Sequence, residues 1–146
     1  MPNVLEEVTD QQIDRDHIMR RVDDWAARID ALYRQIGGWL PDGWTSDHSN
    51  TIRMHEELMQ KYRVPPRDLP VLRLLFQGTL AGRIEPRGLW IIGENGRLDF
   101  FRGDNHYLIV DTAENFAPPD WHIARFIDRR KLQRLSQNSF ATVLDR

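Results

Sequence analysis

The sequence contains no cysteine. That absence excludes disulfides, thiolate zinc sites, iron–sulfur clusters and cysteine nucleophiles together. No apolar run approaches the ~18 residues of a membrane-spanning helix. The first residues, MPNVLEEVTDQQ, lack the apolar core of a secretory signal. We therefore predict a cytoplasmic protein with no membrane partner.

Motifs that carry common reactions are also missing. There is no Gly-x-Ser-x-Gly nucleophile elbow, and the Gly-Glu-Asn-Gly of residues 93–96 is followed by no Lys-Ser/Thr of a phosphate-binding loop. His48 and His55 are too far apart for neighbouring metal ligands on a helix, and Glu56 is followed by no second His at the zinc-protease spacing. We expect no metal and no cofactor, and we favour a non-enzymatic role.

The charges that are present nearly cancel. The 146 residues fit one domain, and 20 Lys and Arg stand against 22 Asp and Glu, for a net charge of −2. All but two of the basic residues are arginine. Arginine recognises planar anions with its forked donors, but a GC-rich coding sequence produces the same excess. Overall charge therefore selects no class of partner.

Apolar residues at alternating spacings of four and three predict a long N-terminal helix. Thr9 and Gln12 form a capping box and Gly37-Gly38 a stop, which gives bounds of about 10–36. The stripe consists of Ile18, Val22, Trp25, Ile29, Leu32, Ile36 and Trp39. Its apolar flanking positions favour packing on a globular core. A homodimer through residues 18–39 is the alternative.

The next segment is harder to assign. Residues 37–47 are rich in Gly, Pro and Trp and predict a loop. A second helix is predicted over 49–63, where Val64-Pro65-Pro66 ends it. Its proposed apolar face consists of Ile52, His55, Met59 and Tyr62. Residues 69–77 fit either a short helix capped by Asp68 or a strand.

Strand patterns dominate the second half of the chain. The predicted strands are Thr79–Glu85, Leu89–Gly93, Arg97–Arg102, His106–Asp111 and Trp121–Phe126. Asn95-Gly96 predicts a two-residue hairpin turn, and residues 103–105 predict the next turn. Residues 89–92 and 107–110 are continuously apolar. Both faces of those strands should therefore be covered, by helices on both sides or by closure into a barrel.

These elements predict an α+β fold. A long N-terminal helix and a second helix pack on a central antiparallel β-meander of about four or five strands. Asp128 is expected to cap a short C-terminal helix, Arg129–Gln137, and Ser139 to begin one further turn. We expect one domain over residues 1–146. It divides into a helical part (1–64), a mainly β part (65–126) and a C-terminal helix (127–146).

Aromatic residues in rigid loops form the first candidate site, for a partner protein. They are Trp39, Trp44, Phe116 and Trp121. Aromatic side chains that lose little entropy on binding are typical interface anchors. They are equally typical of residues that hold a loop on its own core.

A basic cluster near the C-terminus forms the second candidate site. Its members are Arg125, Arg129, Arg130, Lys131 and Arg134, most of them on the predicted C-terminal helix. Such a cluster can contact nucleic-acid phosphates. It can also meet an acidic protein, or be a solvated helix face.

Asp99 and His106 form the third candidate site. If the hairpin is symmetric about residues 103–105, the two side chains approach each other. A carboxylate beside an imidazole can build a general base, and it is also an ordinary feature of a polar hairpin end.

We rank three functions on these sites. The first is a protein–protein interaction protein, such as an inhibitor, an immunity or antitoxin-like factor, or an accessory subunit. The second is a nucleic-acid-associated regulator that uses the arginine cluster. The third is a small-molecule binder or enzyme at the polar end of the sheet.

Overall fold

The computed structural model describes residues 14–90 and 95–145. Within these ranges the chain has the predicted α+β fold. The α-helices are α1 (Arg15–Trp39), α2 (Glu57–Lys61) and α3 (Gln137–Leu144). A seven-stranded sheet contains, in spatial order, β1 (Trp44–Asp47), β4 (Leu72–Phe76), β5 (Thr79–Gly88), β6 (Arg97–Arg102), β7 (Asn105–Asp111), β8 (Trp121–Arg125) and β9 (Gln133–Arg134). A smaller sheet pairs β2 (Thr51–Met54) with β3 (Arg67–Pro70).

The predicted antiparallel meander is confirmed, and it is larger than expected. Strands β4 to β9 are adjacent in chain order, and β1 adds to the edge formed by β4. Every pair in the large sheet is antiparallel. Short connections between neighbouring strands explain this order, because an antiparallel pair needs only a tight turn.

Helix α1 begins later than the capping pattern predicted. Asp14 has extended backbone, and its carboxylate accepts a hydrogen bond of 2.9 Å from the His17 backbone N–H. The expected start near residue 10 is therefore wrong, and Thr9 lies outside the described residues. An acidic N-cap satisfies a free donor of the first turn and interacts favourably with the helix dipole.

The predicted apolar stripe of α1 is buried. The fully enclosed members are Ile18, Val22, Trp25, Ile29, Leu32 and Ile36. They pack in the same core as the inward side chains of the sheet. The stripe therefore packs in the protein's own core, and a homodimer through residues 18–39 stays a prediction.

Helix α1 runs through both glycines that were expected to end it. Its last residue is Trp39, and Leu40 has the extended angles φ −66° and ψ 130°. Leu40 precedes Pro41, and the proline ring disfavours helical geometry in the residue before it. The proline thus ends the helix, whereas Gly37 and Gly38 only weaken its last turn.

Most of the predicted second helix over 49–63 is a strand. Residues Thr51 and Ile52 are β-branched and lie in β2, which pairs with β3. Only Glu57–Lys61 is helical. The loop expected over 37–47 is also partly wrong, because Trp44–Asp47 pairs with β4. The segment 1–64 is therefore not purely helical.

Residues 69–77 adopt the strand alternative. Residues 69–70 complete β3, and β4 covers 72–76. Leu72 and Leu74 are buried on the same side as the core. Pairing with β5 satisfies backbone groups of this segment, whereas a short isolated helix is only marginally stable in water.

Helices α1 and α3 pack on the same face of the large sheet, which we call the inner face. The α1 side chain of Trp25 contacts Trp121 of β8, and the α3 side chain of Phe140 stacks on Phe100 of β6. The run 107–110 is buried throughout, as its apolar sequence indicated. The expectation of helices on both faces of the sheet is therefore wrong for these two helices, since both lie on the inner face. The opposite face, which we call the outer face, carries a stack of aromatic and arginine side chains.

The segment before β6 does not form the predicted hairpin. Gly88 pairs directly with Arg97, so β5 and not Leu89–Gly93 is the partner of β6. Leu89 and Trp90 are outside any strand, and residues 91–93 lie outside the described part of the chain. The Asn95 N–H donates to the Asp111 carbonyl, and the Asp111 N–H donates to the Gly96 carbonyl. Asn95-Gly96 therefore extends alongside the end of β7, so its turn prediction is wrong.

The hairpin between β6 and β7 is confirmed. Arg102 pairs with Asn105, which leaves Gly103 and Asp104 as the two turn residues. Gly103 has φ +58°, a left-handed conformation that glycine adopts without steric cost. Asn105, expected in the turn, is the first residue of β7.

The C-terminal helix exists but lies further along the chain than expected. Residues Phe126–Asp128 form a 3₁₀ turn, and Gln133–Arg134 form β9. The predicted helix Arg129–Gln137 is therefore wrong, as is the extension of β8 to Phe126. The Ser136 Oγ accepts a hydrogen bond from the Ser139 backbone N–H at the start of α3, and the Ser139 Oγ accepts one from the Ser136 N–H. The helix therefore begins after Ser136, where two reciprocal hydrogen bonds satisfy the free N–H groups, and not after Asp128.

Tyr33 links α1 to two strands through its hydroxyl group. The oxygen lies 2.8 Å from the Pro70 carbonyl and 3.2 Å from the Ile84 carbonyl. Burial raises the pKa of Tyr33 well above its ordinary value. We expect Tyr33→Phe to lower the free energy of unfolding by about 1 kcal/mol at neutral pH, because a buried hydrogen bond is lost.

The same substitution should matter less in alkaline solution. Above about pH 10 the unfolded tyrosine ionises while the folded one keeps its proton, so this group's contribution to stability falls as pH rises. The gap between wild type and Tyr33→Phe in urea unfolding should therefore shrink at about pH 11. A constant gap would contradict the raised pKa.

Candidate functional site

The sheet brings Asp99 and His106 together on its outer face. The register pairs His106 with Phe101, which places Asp99 one position along the same face. Nε2 of His106 lies 3.5 Å from Oδ1 of Asp99. That carboxylate oxygen also accepts a 3.0 Å hydrogen bond from Arg97 Nε. The predicted proximity is thus present, with Arg97 as an unforeseen third member.

His106 is clamped between two aromatic rings. Its ring stacks on Phe101 at 4.4 Å and on Phe126 at 4.3 Å between centroids. Arg83 and Arg129 cover the outer sides of those rings, at 4.3 Å and 4.2 Å from the centroids. Nε2 is buried and has no hydrogen-bond partner among the described residues. A proton-transfer role for that nitrogen requires access to a substrate, so the general base of Asp99 and His106 stays a prediction.

The four aromatic candidates do not share one surface. Trp121 is buried against Trp25, and Trp39 lies half-buried against Phe140. Trp44 packs beside Phe76 at the opposite edge of the sheet. Trp39 and Trp121 line one small pocket together. Their main contacts are with the protein's own core.

Phe116 is the most exposed of these four aromatic residues. It has φ +65° in the connection between β7 and β8, and its ring lies under the Arg20 guanidinium at 4.7 Å. His17 meets the same ring edge-on. These contacts hold the loop against the first turns of α1.

The basic cluster lies around a loop and not on a helix. Residues 125–134, which we call the basic loop, run from the end of β8 through the 3₁₀ turn into β9. The loop contains five cationic residues and the single carboxylate of Asp128. All five cations are exposed. The local net charge is therefore strongly positive on a protein that is slightly acidic overall.

Two apolar side chains of the basic loop were missed by sequence reasoning. Ile127 is 84% exposed and Leu132 is 44% exposed. The predicted helix Arg129–Gln137 included Leu132 but not Ile127. In the structure Ile127 lies in the 3₁₀ turn, and Leu132 lies just before β9. Isolated exposed aliphatic residues are common, but here two of them stand among five cations.

Internal contacts restrain the cations of the basic loop. Arg129 lies over the Phe126 ring, and Lys131 Nζ is 3.4 Å from the Asp128 carboxylate. Arg125 lies 3.4 Å from the Asn105 side-chain oxygen. Such partial ordering lowers the entropy lost when a partner binds.

A pocket of about 190 Å³ lies beneath the basic loop, between β8 and α3. Its polar lining consists of Tyr107, Arg125, Asp128, Lys131, Gln133, Ser139 and Thr142. Ile123, Ala124 and Val143 supply an apolar wall. The Tyr107 hydroxyl is buried and has no hydrogen-bond partner within the described ranges. Two of the five predicted basic residues therefore line a pocket that the sequence did not indicate.

Residues 14–90 and 95–145 contain no group of three side chains placed to hold a metal ion. None of the helices in those ranges is long and apolar enough to cross a membrane. Comparisons of the chain with protein-family models, curated proteins and solved structures found no match.

Proposed function

We propose that this protein binds an acidic partner protein through the basic loop, residues 125–134. The observation that carries the proposal is the exposure of Ile127, at 84%, in the middle of the cationic cluster. Burying such a side chain contributes about 1.5–3 kcal/mol. Surrounding cations steer an acidic surface and fix its orientation.

The mixed character of the basic loop favours a protein over nucleic acid. Phosphate-binding surfaces are dominated by cations and hydrogen-bond donors. Here Ile127 and Leu132 offer apolar area that a phosphate backbone does not need. Phe126, the loop's aromatic residue, is covered by Arg129 and His106, so it offers no free ring for base stacking.

The same character favours a protein over an anionic lipid surface. Asp128 lies within the basic loop and is held by Lys131. A uniformly anionic surface repels that carboxylate, whereas a protein partner can oppose it with a cation of its own. An inhibitor or accessory subunit that recognises one partner is the class of function these features support.

The proposal predicts a crosslink that depends on position and charge. A photoreactive residue, p-benzoylphenylalanine, replaces Ile127 in cells that naturally express the protein, and Leu80 in a control, because Leu80 is 50% exposed elsewhere. We expect the residue-127 probe alone to capture one acidic protein, identified by mass spectrometry.

Purified partner should then bind Arg129→Glu/Arg130→Glu at least about tenfold more weakly than it binds wild type. Ile127→Ser should also weaken binding about tenfold or more.

Matched controls separate this proposal from its alternatives. Arg34→Glu/Arg87→Glu reverses the same number of exposed charges outside the basic loop and should bind like wild type. Duplex DNA, single-stranded RNA and vesicles containing phosphatidylserine are tested in parallel. Binding to one of these probes that is lost in Arg129→Glu/Arg130→Glu, with no protein captured at residue 127, would overturn the proposal.

A further inference from the structure

We propose that the pocket beneath the basic loop binds a small organic anion, a carboxylate or phosphate on an apolar body. The Tyr107 hydroxyl would donate a hydrogen bond to the anionic group. This site goes beyond the proposed function, because Tyr107 and the pocket wall are separate from the exposed apolar residues of the basic loop.

The Tyr107 hydroxyl is an unusual group for a protein interior. The residue is 3% exposed, yet its hydroxyl has no hydrogen-bond partner among the described residues. Buried polar groups are almost always paired, and an unpaired one costs about 1–3 kcal/mol. Tyr33 shows the usual arrangement, since its buried hydroxyl reaches two carbonyl oxygens. Tyr107 lines the pocket, so a ligand there is a natural acceptor.

The charges that line the pocket favour an anion. Arg125 and Lys131 supply two positive charges, and Asp128 supplies one negative charge. Lys131 lies 3.4 Å from the Asp128 carboxylate. The Arg125 guanidinium lies 3.4 Å from the neutral Asn105 side-chain oxygen, and no described carboxylate forms an ion pair with it. Arginine presents several donors to one carboxylate or phosphate.

The size and apolar wall of the pocket restrict the ligand further. A volume of about 190 Å³ is below the roughly 300–1,000 Å³ of pockets for drug-sized ligands. The pocket therefore cannot enclose a complete nucleotide. Ile123, Ala124 and Val143 favour an apolar body beside the anionic group. A small aromatic or aliphatic acid fits this combination.

Benzoate and phenyl phosphate test the site as two kinds of anion on one ring. Benzamide is the uncharged control. In a ¹⁵N-resolved NMR titration we expect at least one anion to shift backbone signals of β8 and α3, and benzamide to bind much more weakly. Tyr107→Phe should weaken binding of that anion about tenfold, because a hydrogen bond to a charged group is lost. Tyr33→Phe removes a hydroxyl elsewhere and should bind like wild type.

The free energy of unfolding supplies a second readout. Without ligand, Tyr107→Phe should be at least as stable as wild type, because it removes a buried hydroxyl that has no partner among the described residues. Tyr33→Phe should be less stable than wild type, because it loses a hydrogen bond. Failure of both anions to shift the pocket signals would overturn the proposal, and so would equal affinity in Tyr107→Phe. Ile127→Ser should still bind the anion, so loss of partner docking and loss of anion binding are distinguishable.

Discussion

Replacing Gly96 with alanine is expected to lower the free energy of unfolding by about 3–4 kcal/mol. Gly96 has φ +107°, and a Cβ atom there would overlap the six-membered ring of Trp25. Trp25 is fully buried between α1 and the sheet. Overpacking typically costs about 1–3 kcal/mol, and the backbone conformation adds about 1–2 kcal/mol. The total free energy of unfolding of such a domain is roughly 5–15 kcal/mol, so this loss is a large part of it.

Gly78→Ala is the matched control for this steric effect. Gly78 also has positive φ, at +81°, but among the described residues no heavy atom beyond Gly78 and its two chain neighbours lies within 4 Å of the position its Cβ would take. The free energy of unfolding of Gly78→Ala should therefore fall only by the backbone contribution, about 1–2 kcal/mol. Urea unfolding followed by circular dichroism compares the two variants. Equal losses would show that the contact between Gly96 and Trp25 is not tight.

We expect Asp111→Ala to cost about 3–5 kcal/mol, because it leaves Arg28 buried beside an empty position. Asp111 is fully buried and Arg28 is 5% exposed. The Asp111 Oδ2 atom accepts a 2.8 Å hydrogen bond from Arg28. Its Oδ1 atom accepts hydrogen bonds from the backbone N–H groups of Ala113 and Asp120. One carboxylate thus joins α1 to both ends of the β7–β8 connection.

Asp24→Ala tests the same arginine from its more exposed side. Asp24 lies 2.6 Å from Arg28 Nε, but its side chain is 27% exposed, so water can replace part of the interaction. We expect a loss of about 1 kcal/mol or less. Arg28→Leu/Asp111→Leu should recover part of the stability lost in Asp111→Ala, because it removes both buried charges. A double variant less stable than Asp111→Ala would show that the loop hydrogen bonds dominate.

Sequence periodicity predicted the elements whose neighbours lie close along the chain. The stripe from Ile18 to Ile36 is buried as expected, because α-helical geometry places those residues on one face. Strands β6, β7 and β8 lie within one residue of their predicted bounds. The turn after Arg102 also follows from local chemistry, since Gly103 adopts a left-handed conformation there.

The predictions that are wrong depend on contacts between distant residues. Asn95-Gly96 has the composition of a hairpin turn, but its backbone pairs with Asp111 and its glycine accommodates Trp25. The apolar spacing around Thr51–Met54 predicted a helix, but this segment forms β2 and pairs with β3. In both cases a backbone partner from another part of the chain outweighed a weak local preference.

The candidate sites also contain some features that the sequence indicated and others that depend on contacts between distant residues. The sequence identified the basic residues, and it placed Asp99 near His106 from hairpin symmetry alone. It contained no signal for the exposure of Ile127, or for a buried Tyr107 hydroxyl that lacks a partner among the residues described by the structure. Both arise because the chain after β8 forms a 3₁₀ turn and an edge strand, with α3 packed beneath.

By itself, the sequence determined the α+β class, the buried face of α1, the central strands and the exclusion of cysteine chemistry. These properties follow from side-chain type and from spacing within a few turns or strands. Only the tertiary structure decided that the inner face holds α1 and α3, that Arg125 and Lys131 line a pocket, and that His106 lies between two aromatic rings. Those features require residues far apart in the chain to meet, and local spacing carries no information about which of them will.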